Sequence, residues 1–370
     1  MNISTILFSA FIAIVSIQII YYLSFLFSFA VKRAETRLKK NIPISIIICA
    51  KNEAENLKKN LPFILNQDYS TFEVVLVNDS SWDDTLDVMK GFAEKNSNIK
   101  LVDVKTIETF WGNKKYALTL GIKASKHDFL VFTDADCLPN STKWLNHISS
   151  NFSNQKSIVL GYGAYTKKGF SFLNKLIRFE TVMTALQYFS YANLGLPYMG
   201  VGRNMAYRKE LFFNNSGFNN HMSLKSGDDD LFVNKVADNK NTSTCFTKES
   251  FTISVPKTSY KSWILQKRRH VSTAKFYKPL HKFMLGLFYT SQLLFWILGI
   301  LLFTLSFPWE WLTALISLRF IIQLLCFGLT AKKLNEIDLI FLAPILEFFL
   351  ILSQLSIFIA NLISKPKHWK

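Results

Sequence analysis

The chain has 370 residues, of which 49% are hydrophobic and 34 are Phe, a balance that argues against a purely soluble protein. Lys and Arg outnumber Asp and Glu 43 to 26, for a net charge of +17. The basic excess lies largely beside apolar runs, without a nucleic-acid-binding motif, and so points to a membrane surface and an anionic substrate rather than to nucleic acid. Cys49, Cys137, Cys245 and Cys326 are scattered without paired metal-ligand spacing, which reads as buried reduced thiols rather than disulfides or zinc ligands.

Residues 3–31 carry no charge, more than the ~20 apolar residues a membrane span needs. Lys32, Arg33, Arg37, Lys39 and Lys40 follow at once. A cleaved signal peptide has the reverse order, so residues 1–31 are expected to be an uncleaved anchor with a cytoplasmic C-terminal flank. Strands and helices then alternate. Ile44–Ala50 reads as a buried strand. Glu53–Gln67 reads as a helix that Pro62 kinks or restarts. Phe72–Val77 is the next strand, and Asp83–Lys95 a helix with acids in its first turn. Ile99–Val104 and Phe129–Thr133 are strands separated by a helix over Asn113–Ala124. This order predicts an α/β domain with a mostly parallel, Rossmann-like sheet and helices on both faces, with ligands at the carboxyl ends of the strands.

Beyond it, Phe170–Tyr188 is helical, Gly200-Val-Gly202 is a turn, and Asp228-Asp-Asp230 is an acidic cluster. Phe283–Phe307 and Trp311–Ala331 are each long enough to span, the second despite Arg319. Ile337–Ile363 is apolar but contains Pro344 and Glu347, a possible partner for Arg319. If it spans once, the basic tail Lys365–Lys370 falls outside; a re-entrant or interfacial segment keeps it inside, and both remain open. Lys261, Lys267, Arg268, Lys275, Lys278 and Lys282 read as a solvated or lipid-facing basic band.

Polar groups fall where such a sheet binds ligands. Asn52-Glu53 follows the first strand, Asn78-Asp79 the second, and Asp134-Ala-Asp136 the fourth. Two carboxylates one residue apart at a strand end can share a Mg²⁺ or Mn²⁺ that keeps open positions for phosphate oxygens. Alone, the tripeptide is as easily a turn that caps the next helix.

It is accompanied by Ala50-Lys-Asn-Glu-Ala-Glu-Asn56, Val77-Asn-Asp-Ser-Ser-Trp-Asp-Asp-Thr85, Gly112-Asn-Lys-Lys-Tyr-Ala-Leu118, Gly202-Arg-Asn-Met-Ala-Tyr-Arg208, Gly227-Asp-Asp-Asp-Leu231 and Gln266-Lys-Arg-Arg-His270. In this order, over residues 43–275, the set resembles the inverting family 2 glycosyltransferases, and more narrowly their membrane-bound, cellulose-synthase-like and ceramide-glucosyltransferase-like branch. The resemblance implies a GT-A type catalytic domain at residues 41–275, between the anchor and a C-terminal transmembrane region at residues 281–363 with two or three segments. It implies that Glu53 and Asp79 hold the nucleoside, Lys114 lies near the diphosphate, Asp134 contacts the donor and Asp136 binds the metal. Asp228 or Asp229 is then the general base, and the register of Leu231 favours Asp228. Gln266 and Arg269 lie by the acceptor and the leaving diphosphate. A UDP-sugar donor, a lipid or lipid-linked glycan acceptor and a location in the cytoplasmic membrane, with the catalytic domain inside, follow by the same analogy.

Three departures stand out. Asn78 replaces the first Asp of the usual Val-Asp-Asp-Gly-Ser motif. His270 replaces the Trp of Gln-x-x-Arg-Trp. The gating-loop pattern of polymer synthases is absent after His270. A single-sugar transferase is therefore expected over a processive polysaccharide synthase; a non-catalytic membrane scaffold with a relic fold is an alternative of a different class. Asn204 reads as structural.

Overall fold

The structure is a computed structural model that describes residues 3–34, 40–105, 114–224, 226–305 and 307–364. Arg37 and Lys39 of the basic flank, Gly112 and Asn113 of the lysine motif and the tail at residues 365–370 lie outside the described residues. In chain order the elements are α1 (Ile3–Phe25), β1 (Ile44–Ala50), α2 (Ala54–Leu65), β2 (Phe72–Asp79), α3 (Thr85–Lys95), β3 (Ile99–Val104), α4 (Lys114–Ala124), β4 (Phe129–Phe132), β5 (Cys137–Pro139) and α5 (Trp144–Ser150). They continue with β6 (Ile158–Leu160), β7 (Gly163–Tyr165), α6 (Phe172–Asn193), β8 (Met205–Arg208), α7 (Lys209–Asn214), α8 (Asp230–Val236), β9 (Thr242–Thr244) and β10 (Thr252–Ser254). The last are α9 (Tyr260–Val271), α10 (Pro279–Thr304), α11 (Trp309–Lys333) and α12 (Ala343–Ile363).

The chain forms two compact units. Among the described residues, one comprises residues 3–33, 167–191 and 257–364, and the other comprises residues 34–166 and 192–256.

The second unit is built on a seven-stranded sheet in the order β3-β2-β1-β4-β8-β6-β9. β1 pairs in parallel with both β2 and β4, and β2 in parallel with β3. β8 is antiparallel to both β4 and β6. Alternation along the strands divides their side chains between two faces. Ile46, Ile48, Val74, Leu76 and Val131 pack in one core cluster with Leu57 and Leu61 of α2 and Trp144, Leu145 and Ile148 of α5. Ile47, Val75 and Val77 point the other way, onto α4. There Gly121 lets the helix backbone approach: a Cβ at that position would sit 2.7 Å from Val77 Cγ2. α2 runs on through Pro62 to Leu65, and the Asn66 amide still donates to the Pro62 carbonyl at 3.0 Å. The helix is therefore not restarted at Pro62, and the Lys58 carbonyl, which loses its amide partner there, belongs to an exposed residue. A second, three-stranded sheet has the order β5-β10-β7.

The first unit holds four helical segments long and apolar enough to cross a membrane among the described residues: Ile3–Ala30, Pro279–Thr304, Trp309–Lys333 and Ile337–Ile363. α1 packs along α10 and α11. Phe11, Val15, Phe295, Leu302 and Leu312 form their shared core. Within this apolar interior Arg319 pairs with Glu347 at 2.6 Å, with both side chains buried. Gln18 accepts from Arg319 Nε at 2.7 Å, while Gln292 and Gln323 each donate to Glu347 at 2.9 Å. The guanidinium also lies over Phe295 and Phe320. These partners leave it committed to holding helices together.

The far end of α12 turns to α9, where Arg268 donates to Asn361 Oδ1 and the Ala360 carbonyl, both at 2.9 Å. Lys267 pairs with Glu180 of α6 at 2.5 Å. Two members of the expected basic band are therefore structural ties rather than solvated charges.

Candidate active site

The site grows from the carboxyl ends of β1, β2 and β4. The register sets Ala50 opposite Asn78 and Ile47 opposite Phe132, so these three strands deliver their following loops to one edge. Both Asn52, after β1, and Ser80, after β2, adopt positive φ, the sharp reversal that turns the chain back into each following helix. Ser81 and Asn52 then tie the two loops together: the Asn52 amide donates to Ser81 Oγ and the Trp82 amide to Asn52 Oδ1, both at 3.1 Å.

Glu53 caps this junction. Its amide donates to Thr85 Oγ1 at 2.8 Å, and its carboxylate accepts from Asn56 at 2.5 Å. Asp83 holds the other side, accepting from the Ala54 and Thr85 amides. Asp79 ends β2, 3% exposed, and its Oδ2 is buried without a hydrogen-bond partner among the described residues. Burial raises its pKa above the usual carboxylate value, against the pull of Lys51 and Lys114. Asn78 is buried beside it and donates through Nδ2 to Asp103 of β3 at 2.7 Å.

At the start of α4, Lys114 Nζ lies 3.0 Å from Asp134 Oδ1 and 3.1 Å from Asp228 Oδ2. Burial opposes its charge, but the two carboxylates outweigh that and raise its pKa well above the ordinary lysine value. Burial would likewise push Asp228 up; the Lys114 ammonium overrides it and holds the carboxyl ionised. Asp229 differs. Its Oδ2 accepts from the Gly202 amide at 2.7 Å and its Oδ1 from the Asp230 amide at 2.8 Å, so it caps α8 and ties that helix to the Gly200–Gly202 turn. Burial and the charges of Asp228 and Asp230 push it up to about 7.

Asp134, Asp136 and Cys137 offer ligand atoms within 4.8 Å of one another. Cys137 Sγ lies 3.5 Å from Asp136 Oδ1. Burial and the neighbouring Asp134 raise the pKa of Asp136, the strain expected of two carboxylates at one strand end. Arg203 opposes that rise. It stacks 4.1 Å from the Tyr165 ring and donates to the Gly163 carbonyl at 2.6 Å. A pocket lined by Lys114, Asp134, Asp228 and Asp229, with Gly202 and Tyr207, opens at this edge.

Of the residues singled out by sequence, Glu53, Asp79, Lys114, Asp134, Asp136, Asp228 and Asp229 all belong to this unit. Gln266 and Arg269 lie on α9, in the unit that holds the apolar helices. Asn204 is structural: it accepts from Trp144 Nε1 and donates to the Tyr162 and Ser250 carbonyls. Cys137 and Arg203 also stand at this edge, beyond the site residues that the sequence singles out. The cysteine spacing hid the first, because its neighbours are carboxylates rather than thiols; the Gly202-Arg-Asn motif carried the only signal for the second.

The family model for glycosyl transferase family 2 matches residues 45–213. Glycosyltransferase AglE of Haloferax volcanii is 33% identical over 112 residues, 30% of this chain and 35% of that protein. Poly-beta-1,6-N-acetyl-D-glucosamine synthase of Staphylococcus epidermidis is 31% identical over 93 residues, 25% of this chain and 21% of that one. The matches thus span well under half of either relative. Among solved structures, the mannosyltransferase PcManGT of Pyrobaculum calidifontis, in complex with GDP-Man and Mn²⁺, superposes with a TM-score of 0.60 at 18% identity, covering 94% of this chain and 99% of that one. That is a likeness of fold. The chain carries a glycosyl transferase family 2 domain, matched at residues 45–213, on a GT-A fold.

Proposed function

We propose that the protein is an inverting, metal-dependent transferase that moves a sugar from a nucleotide-diphosphate donor to a lipid or lipid-linked glycan acceptor at a membrane. The observation that carries this reading is Lys114, which touches Asp134 and Asp228 at 3.0 and 3.1 Å and so links a donor-side carboxylate to the candidate base.

Asp79 and Glu53 hold the nucleoside. The partnerless Oδ2 of Asp79 is an acceptor suited to a base or ribose donor group. Asp136, with Asp134, would hold Mg²⁺ or Mn²⁺. The fit is good in kind, since two hard carboxylate oxygens lie close together and the neighbouring Cys137 thiol is kept protonated by burial. Such an ion, when bound, offsets the charge that develops on the leaving diphosphate. Lys114 faces the same charge. Asp228, ionised, takes the proton of the acceptor hydroxyl as its oxygen bonds to the anomeric carbon. The anomeric carbon–oxygen bond to the diphosphate breaks, and its electron pair leaves with the diphosphate. Attack opposite the leaving group inverts the anomeric centre. Asp229 keeps Asp228 in place through α8. Gln266 and Arg269 serve the acceptor and leaving group by family resemblance alone.

In this reading residues 1–31 anchor the chain, residues 41–275 form the catalytic domain and residues 281–363 form the C-terminal membrane region. α1, α10 and α11 cross the membrane, and the basic ends at Lys32, Arg33, Lys332 and Lys333 face the cytoplasm. The segment Ile337–Ile363 re-enters. α10 and α11 are consecutive and joined by residues 305–308, so α10 starts and α11 ends on one side. Asn361 and Ser364 bond to Arg268 of α9, just ahead of α10, which supports an exit on that side too.

A donor screen tests the function: membranes bearing the protein are given UDP-glucose, UDP-N-acetylglucosamine and GDP-mannose, with Mn²⁺, Mg²⁺ or EDTA. Release of nucleoside diphosphate from one donor, abolished by EDTA, is expected; release from none, by folded protein, counts against the reading. A processive synthase is the second reading, favoured by the match to a poly-N-acetylglucosamine synthase. A ladder of product lengths would select it.

A further inference from the structure

Lys115 follows Lys114 on α4, but its side chain turns away from the pocket into the protein and is 1% exposed. Its Nζ donates to three backbone carbonyls of one loop: His221 at 2.7 Å, Leu224 at 2.9 Å and Ser226 at 2.6 Å. An ammonium has three N–H donors and no acceptor, and these three carbonyls converge on it. A buried ammonium is costly, and burial pushes Lys115 down to about 8. Packing alone would be served better by Leu or Met.

The loop leads straight into the acidic cluster. Ser226 is followed by Gly227, at φ +98°, where a Cβ would also lie 2.5 Å from Leu231 Cδ1. A hydrogen bond from the His221 ring to the Gly227 backbone closes the loop on itself. Asp228 comes next. Two consecutive lysines of one helix therefore fix it from two sides: Lys114 grips its carboxylate, and Lys115 grips the backbone that carries it.

We propose that Lys115 is a positioning residue for sugar transfer, its ammonium clamping the backbone at His221, Leu224 and Ser226 so that Asp228 stands where it removes the acceptor proton. The proposal rests on Asp228 as the general base.

Two measurements on the full-length protein test it. Hydrogen exchange needs no donor. In Lys115→Met, which keeps the stem and removes the donors, amides at residues 222–229 should exchange at least about tenfold faster, while those of β1–β3 are unchanged. A loop that exchanges no faster overturns the proposal. The second measurement is turnover, followed as UDP or GDP release from UDP-glucose, UDP-N-acetylglucosamine and GDP-mannose with Mn²⁺. In Lys115→Ala, kcat should fall on the order of a hundredfold with little change in donor KM, the cost of a small misplacement. Added propylamine should restore part of the loss in Lys115→Ala, whereas tetramethylammonium, which has no N–H, should not. A kcat equal to the wild type, or a loss that propylamine leaves untouched, contradicts the clamp. If neither variant folds, Lys115 is a folding residue and the proposal fails. Asp228→Asn, run in parallel, should be inactive and unmoved by propylamine. If it turns over normally, the base assignment has failed instead, and the Lys115 results show the loop effect separately.

Discussion

The side-chain amide of Asn78 donates to Oδ1 of Asp103 at 2.7 Å, across two adjacent strands whose register sets these residues opposite each other. This accounts for the Asn where the family motif has Asp. A carboxylate at residue 78, buried and facing Asp103, would meet a like charge in place of a donor. Asn78→Asp should cost about 1–3 kcal/mol of stability, and Asp103→Asn in that background should recover most of it. Thermal unfolding of the four proteins in a double-mutant cycle checks this; additive losses would show that the pair is not coupled.

Arg319 and Glu347 lie buried among Gln18, Gln292 and Gln323. Removing one charge leaves the other unpaired in an apolar interior, so Glu347→Leu or Arg319→Met alone should lose about 3–5 kcal/mol. The double variant should lose less than either single one. Donor turnover per folded molecule should be unchanged in the double variant, since the guanidinium bonds to Glu347, Gln18 and Gln323. Turnover that falls while folding holds would return Arg319 to a functional role.

The path of the last apolar segment is open to labelling. In sealed vesicles, with Cys49 replaced by Ala, Ser364→Cys and Asn335→Cys should react with an impermeant thiol reagent from the same side, and Pro308→Cys from the other. Labelling of Ser364→Cys together with Pro308→Cys would make Ile337–Ile363 a full span. Composition does not decide between these paths because both expose the same apolar faces; the contact between Arg268 and Asn361 is what supports the re-entrant path proposed above.

His221 is buried, and burial together with Lys115 and Lys235 pushes its pKa down to about 4 from an ordinary 6.5. Between those values the unfolded chain binds more protons than the folded one, so stability rises with pH and is lost as pH falls from about 6.5 toward 4. His221→Asn should flatten that part of the curve. Thermal melts from pH 4 to 8 read it directly, and an unchanged acid limb would place the titrating group elsewhere.

Much of the donor side could be read from residue order. Ile44–Ala50, apolar except for Ser45, forms β1 with the expected bounds, because a strand buried on both faces is a near-continuous apolar run. Asp79 and Asp134 then follow as strand-end residues. The far side of the sheet is not legible: β6 and β9 have three residues each, too few for any periodicity, and are held by pairings across distant sequence, β6 antiparallel to β8 and parallel to β9. Lys115 was hidden for another reason. Beside Lys114 it reads as a second surface cation, and only the fold, which brings the His221, Leu224 and Ser226 carbonyls to it, shows otherwise.

In the proposed reaction Asp228 removes the acceptor proton. The direct measurement is kcat of Asp228→Asn beside the wild type, with nucleoside diphosphate binding followed on the same preparations. The expected result is a fall of about 10²–10⁴-fold in kcat with binding retained. Normal turnover by folded Asp228→Asn would contradict it.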